Sequence, residues 1–532
     1  MNFIGKQPGK TTLTSTGLAT IRGHVIKRPD QIALKTETYS STYAEMWERC
    51  SRLANSLLDK GFSKPDLIIT YMPNCYQYVE IIVAALMAGL PISFGNYRLT
   101  SEEIIYQITN SQAKLVFVQE EQYEVIKPLM DSLPDVKEIV VISDNEIEDV
   151  LNYEALIAKG SPEEPNVDLQ LEDMHMLFYT SGTTGKPKGA VRTIYCDYNM
   201  AISTAIELGV SRDDTLFVAA PMYAAATAGY VYCTLMVGGT ITIAPAFIPE
   251  DSLRLIDLFK PTFVFMVPVM FKWMLAMLPP ETVAKYDLSS VKLAVSCGAP
   301  MHSDIFQAMA EKLPDAKCVN MLGVSELGFV TAITSDEWFG LKKEGSIGKG
   351  SFDIDLKVVD LDGNEVTEPG GIGVLYVRSP STFNGYWNNP EGTAESFLDD
   401  QWCSVGDMAK FDKDGYYFLV DRAQDMIVSG GTNIYPAEIE DVIMGMEGIA
   451  DVGVIGIPDE KWGELVKAIV VLKPEYEVSE EEIIAYCRQY LAGFKVPKSV
   501  DYIDTIPRNA VGKMLKKDLR KPYWEGKDTF IS

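Results

Sequence analysis

The sequence predicts an α/β protein of two to four packed units, and three observations lead there. Its 532 residues exceed the roughly 100–200 expected of one domain. Composition is 47% apolar and 23% charged, which supplies a large core and is far from the signature of disorder. Through about the first 350 residues, runs such as LIITYMP, AKLVFVQ, VKEIVVIS, TFVFMVP and VKLAVSC alternate with helix-like stretches such as TYAEMWERCSRLANSLLDKG, the rhythm of mostly parallel sheets with helical crossovers.

The elements follow in order. Residues 1–20 scatter apolar side chains among Gly, Lys, Thr and Ser, unlike the apolar run of a secretory leader. Leu216 to Pro249 carries no charge and is long enough to span a bilayer. Yet Pro221, Gly229, Gly238, Gly239 and Pro245 divide it into a strand (TLFVAA), a small-residue helix and a second strand (TITIA), so a buried βαβ unit is expected. DIDLKVVDLDGNEV and GIGVLYVRS read as antiparallel strands around an Asp-Gly turn, and FDKDGYYFLVDR holds another. The last hundred or so residues, with EIEDVIMGM, ADVGVIGI, KAIVVLK and SEEEIIAYCRQYLAG, read as a small α+β domain by the change of period. The joint is expected near Gln424, giving domains 1–423 and 424–532.

Charge narrows the partners. With 47 Lys plus Arg against 74 Asp plus Glu, the net charge is −27, which argues against general affinity for nucleic acid or anionic membranes. His24, His175 and His302 lie far apart and the eight Cys form no C-x-x-C pair, giving little support for zinc or disulfides. No C-terminal S-K-L follows, since the chain ends Phe530-Ile531-Ser532, and a reducing cytoplasm is the expected location.

The most informative stretch is YTSGTTGKPKG from Tyr179, after the apolar MHMLFY. From Thr180 to Gly189, four hydroxyls, three glycines and two lysines supply open backbone N–H groups, short donors and compact positive charge, as a polyphosphate requires. Pro187 stands where a Walker A loop would need Gly, so this is a different phosphate loop. A flexible surface loop would account for Gly and Ser but not for paired lysines after a strand.

With this loop, Gly298-Ala299-Pro300, Leu322-Gly323-Val324-Ser325-Glu326, Trp402 to Asp407, DRAQDMIVSGGTNIYPAEIE from Asp421 and IPRNAVGK ending at Lys513, the chain resembles the adenylate-forming superfamily of acyl-CoA synthetases, adenylation domains and luciferases over nearly its whole length. The resemblance implies a large N-terminal α/β domain with mostly parallel sheets and a β-rich subdomain, followed by a small mobile α+β C-terminal domain. It implies ATP-dependent activation of a carboxylic acid to an acyl-adenylate with release of pyrophosphate, then thioester formation with CoA and release of AMP. ATP, Mg²⁺ and CoA are the implied cofactors and co-substrates.

Roles follow by the same resemblance. Thr180, Ser181, Gly182, Thr183, Thr184 and Lys188 would hold phosphates, Glu326 would hold Mg²⁺ and Ser325 would contact the α-phosphate. Gly298, Ala299, Pro300, Leu322 and Gly323 would line the adenine site. Asp407 would accept the ribose hydroxyls, as a carboxylate can, and Arg422 would bind the ribose or phosphate region. Lys513 is the implied catalytic cation of the first step, where two anions must meet; its neighbours Lys516, Lys517, Arg520 and Lys521 read as solvated surface. Gln424 occupies the hinge position, and Gly430 and Gly431 would let a pantetheine arm pass close to the backbone.

The chain departs from the family in Ala224, where relatives often carry His, in Leu322, where an aromatic is usual, and in Met321, where enzymes for long chains often have Gly. Tyr223, Ala224, Ala225, Thr227, Gly229, Met321 and Val324 are the acyl-pocket candidates. No acid between Leu216 and Pro249 could pair with a substrate ammonium, so an uncharged acyl tail is expected, from a fatty acid of medium length or longer or an aryl acid. A stand-alone enzyme loading a carrier protein, a luciferase-like oxidase and an inactive nucleotide-binding homologue are the alternatives. A homodimer is compatible with the sequence.

Overall fold

The computed structural model describes residues 17–180, 187–399, 401–422, 425–429, 432–459, 461–508 and 514–524, excepting the side chains of Arg422 and Asn433. These residues pack as two compact units, one of 17–180, 187–355 and 377–403, the other of 356–376 and 404–524.

The first unit holds two large sheets. One orders seven strands as Leu151–Asn152, Glu138–Ile142, Leu115–Gln119, Ile68–Tyr71, Ile92–Gly95, Met174–Thr180 and Lys188–Thr193. Only the last pair is antiparallel. The other orders nine, Lys349–Gly350, Gly328–Thr334, Lys317–Val324, Leu293–Ser296, Phe263–Met266, Thr215–Val218, Thr240–Ile243, Ile32–Lys35 and Ser40–Thr42. Its central pairs are parallel. Strands such as Ile68–Tyr71, Phe263–Met266 and Leu293–Ser296 are buried along their length, as continuous apolar runs in helix-covered sheets should be.

Helices start where their caps stand. Tyr43–Asp59 opens with a Thr42–Glu45 capping box and buries Met46, Trp47, Cys50, Leu53, Ala54 and Leu57 at helical spacing. The charge-free stretch is the expected βαβ unit: Thr215–Val218 and Thr240–Ile243 are parallel neighbours joined by the buried helix Ala225–Val237. Among the described residues no helix is long and apolar enough to cross a membrane.

The second unit contains most of a four-stranded sheet of Asp355–Val359, Gly373–Arg378, Cys403–Phe411 and Tyr417–Arg422. A further sheet orders Thr432–Ile434, Ile427–Ser429, Gly463–Leu472 and Ile449–Asp459, with Ser499–Tyr502 parallel to Gly463–Leu472. The helices Pro436–Met444 and Glu480–Tyr490 contribute Ile439, Ile443, Ile483 and Cys487 to its core. One expectation fails here. Lys516 is 8% exposed and pairs with Glu440 at 2.8 Å, and Arg520 pairs with Asp425 at 3.1 Å. The helix Lys516–Trp524 thus turns these two cations inward instead of leaving them in solvent, because each meets a carboxylate that offsets its burial.

Candidate active site

The strand Met174–Thr180 ends at Thr180 and the antiparallel strand Lys188–Thr193 begins at Lys188, on either side of the run expected to bind phosphate. Thr180 Oγ1 donates to the Lys188 carbonyl at 3.3 Å, closing the base of the loop. Ser181, Gly182, Thr183 and Thr184 lie outside the described residues.

Glu326 stands in the turn between strands Lys317–Val324 and Gly328–Thr334. A Cβ on Gly323 would come within 2.9 Å of the Gly328 carbonyl, so this turn demands glycine. The Phe383 N–H donates to the Glu326 carbonyl at 2.7 Å, and the Tyr386 hydroxyl donates to Glu326 Oε1 at 2.7 Å. Tyr386 also carries Lys188 Nζ over its ring, 5.1 Å from the centroid. Backbone pairing fixes that ring: Asn384 N–H donates to Val191, and Trp387 N–H to Gly189, at 2.8 and 2.7 Å. Burial, then the neighbouring Glu326 charge, push the Tyr386 phenol well above its ordinary value, so it stays a donor. One aromatic residue therefore joins the loop's lysine to the acidic turn.

Glu326 Oε2 has no hydrogen-bond partner among the described residues. No group of three or more His, Cys, Asp or Glu among them could hold a metal alone. A single available carboxylate fits Mg²⁺, which takes one or two carboxylates and completes its shell with phosphate oxygens and water.

Gly298, in the left-handed region at φ +91°, turns the chain after Leu293–Ser296, leaving Gly298, Ala299 and Pro300 exposed. Its parallel neighbour carries Asn320 opposite Ser296, then Met321, half-buried Leu322 and exposed Gly323. Carboxyl ends of parallel strands are where ligands settle in such sheets. Asn320 is 6% exposed and its Oδ1 has no partner among the described residues. Met321 is buried, and Tyr230 donates its hydroxyl to the Met321 sulfur at 3.1 Å while its ring packs 4.5 Å from Phe265. Tyr223 and Thr227 are buried, their hydroxyls without a partner among the described residues; Ala224 caps the helix Ala225–Val237. Gly229 faces Met200, which a Cβ would approach to 3.1 Å. Val324 and Ser325 are half-buried beside Glu326.

In the second unit Asp407 is buried, in register with Arg422 on the adjoining strand. The Arg422 side chain, Gln424, Gly430, Gly431 and Lys513 lie outside the described residues. The ends of the segment bearing Lys513 are described. Arg508 and Met514 form an antiparallel bridge, and Arg508 pairs with Asp451 at 2.7 Å.

Sequence reasoning did not find Tyr386, Asn320 or Tyr230. The one signal available for Tyr386 was its Gly-Tyr-Trp setting after the largely polar run from Arg378 to Asn384, and that reads equally as a turn.

Comparison with known proteins bears on this geometry. The family described as AMP-binding enzyme matches residues 22–387, and the AMP-binding enzyme C-terminal domain matches 438–513. The chain is 34% identical to a feruloyl-CoA synthase of an Amycolatopsis species, over 93% of this chain and 96% of that protein. It is 34% identical to the long-chain-fatty-acid–CoA ligase FadD13 of Mycobacterium tuberculosis, over 91% and 93%. The fold matches ATP-bound MatB from Rhodopseudomonas palustris with a TM-score of 0.85 at 27% identity, over 96% of this chain and 99% of that one.

Proposed function

The chain belongs to the AMP-binding enzyme family and is an AMP-forming acid–CoA ligase; we propose how its residues divide that work and which acids it takes. The carboxylate substrate attacks the α-phosphorus of ATP, releasing pyrophosphate and leaving an acyl-adenylate, and the CoA thiol then displaces AMP. The carboxylate is already a nucleophile, so the first step needs charge neutralisation and alignment more than a general base.

The observation that carries the reading is Tyr386, which holds Lys188 and Glu326 together at the foot of the phosphate loop. Thr180 to Thr184 and Lys188 bind the β- and γ-phosphates, and Ser325 meets the α-phosphate. Glu326 holds Mg²⁺, which when bound neutralises phosphate charge. Gly298 to Pro300, Leu322 and Gly323 receive adenine, with the orphan Asn320 oxygen accepting from its exocyclic amine. Asp407 and Arg422 bind the ribose and its phosphate edge. Lys513 serves adenylation. The domain 424–532 then turns against 1–423 about Gln424, and pantetheine passes Gly430 and Gly431.

The acyl group lies among Tyr223, Ala224, Ala225, Thr227, Gly229, Met321 and Val324. Tyr230 braces Met321 and so shortens the pocket. The acid is a fatty or aryl acid with an uncharged acyl tail, a range spanned by the feruloyl and long-chain fatty-acid relatives. The enzyme acts in the cytoplasm and forms a homodimer. Pyrophosphate release should be measured over C2 to C16 and aryl acids with and without CoA, together with AMP and thioester. Thioester from fatty or aryl acids is expected. Turnover confined to acids with a charged tail would refute the acyl assignment, and pyrophosphate release without thioester would favour a carrier protein as acceptor.

A further inference from the structure

Behind Glu326 lies a buried charged network that the roles above do not use. Arg192, 1% exposed, is the penultimate residue of the strand that begins at Lys188. Its Nε donates to Asp197 Oδ1 at 2.5 Å. Asp197, fully buried, also meets His175 Nδ1 at 2.8 Å through Oδ2. From that anchored position the guanidinium reaches the Cys196 carbonyl of the helix that bears Asp197 at 3.5 Å and, through Nη1, two carbonyls of distant segments, Ser325 at 3.1 Å and Ser381 at 3.3 Å. Cys196, in the same helix turn as Asp197, donates its thiol to the next carbonyl, Thr382, at 2.9 Å. The two segments strapped in this way carry Glu326 and the Phe383–Tyr386 stretch that holds it. Gly328 completes the packing, since a Cβ there would stand 2.7 Å from Met200 and 3.4 Å from Arg192 Nη2.

Such a network is poorly explained by stability. Replacing a buried ion pair with apolar side chains of similar volume is often neutral or stabilising. What it supplies is direction: a planar guanidinium fixed by a carboxylate presents its remaining N–H groups in a rigid fork. Here the fork holds the carbonyl immediately before Glu326.

We propose that Arg192, oriented by Asp197 and His175, is a positioning residue that sets the Glu326 turn for the metal–nucleotide complex. This rests on the assignment of Glu326 to Mg²⁺. Asp197 and His175 fix the guanidinium, and Arg192 fixes the turn.

The test is nucleotide binding without turnover. Thermal melting follows the ATP concentration that half-saturates stabilisation, with and without Mg²⁺, in the wild type, Glu326→Gln, Arg192→Met and the double variant Arg192→Met/Asp197→Leu. The double variant removes the buried guanidinium and its carboxylate partner together, which keeps the test open if the single variant misfolds. Wild type should bind ATP more tightly with Mg²⁺. The folded double variant should lose roughly tenfold of that metal-dependent gain while its metal-free ATP affinity falls by much less, through Ser325 alone, since a displaced binding group weakens only its own interaction. A metal-dependent gain equal to wild type would overturn the positioning role. Equal loss of metal-free affinity would also overturn it, by revealing a general collapse of the site. If Glu326→Gln keeps the full gain, the metal assignment itself is wrong and the proposal falls with it.

Discussion

Tyr386 is held by backbone pairing on one side and by two charged partners on the other. Tyr386→Phe keeps the ring beneath Lys188 and removes only the hydroxyl bond to Glu326, a bond to a charged group being worth about 1.5–3 kcal/mol. Adenylation, read by pyrophosphate exchange, should fall roughly 10–100-fold with little change in melting temperature; an unchanged rate would remove the tyrosine from the site. Lys513→Ala should abolish activity from ATP yet still convert a supplied acyl-adenylate to thioester. Equal loss in both assays would assign Lys513 to both steps. At this scale the sequence offers candidates wherever the chemistry-bearing residues sit in one contiguous run, as from Thr180 to Lys188. Tyr386 and Arg192 were not legible, because their partners are distant in sequence and an isolated tyrosine or arginine carries no period or spacing.

Strands and helices were legible because burial imposes a period. The runs at Ile68–Tyr71, Leu115–Gln119 and Leu293–Ser296 are strands as read, and the charge-free stretch is a strand, helix and strand. The helix Lys516–Trp524 misled, because Lys516 and Arg520 look like surface until Glu440 and Asp425 come opposite them. The junction of strand Lys188–Thr193 with helix Ile194–Leu208 brings a pH dependence. Burial pushes the Asp197 carboxyl up, but Arg192 and His175 outweigh it and the net shift is below the ordinary 3.8. A carboxylate lowered by folding contributes stability above its unfolded value and loses it as pH falls through the folded one. Asp197→Asn should therefore cost about 3–5 kcal/mol at neutral pH, by leaving Arg192 uncompensated. That gap should narrow as pH falls below 3.8 in denaturant titrations, and a gap that widens in acid would contradict the assignment.

For the whole molecule, the alternation of apolar runs with helical stretches was enough to foresee parallel sheets followed by antiparallel ones. The packing of Leu356–Tyr376 with 404–524 was not legible, since pairing between separated segments leaves no local mark. If the domain turns at Gln424 between half-reactions, Gln424→Pro, which fixes φ near −65°, should slow thioester formation far more than adenylation. Parallel loss of both would argue against a hinge there.

The central claim is that one chain runs two ordered half-reactions through a bound acyl-adenylate. The most direct measurement is a single turnover with excess enzyme, ATP, Mg²⁺ and an accepted acid, quenched before and after a chase of CoA. Pyrophosphate and enzyme-bound acyl-adenylate should form before the chase, and thioester with AMP only after it. Pyrophosphate released only once CoA is present, or an adenylate that CoA cannot convert, would contradict the account.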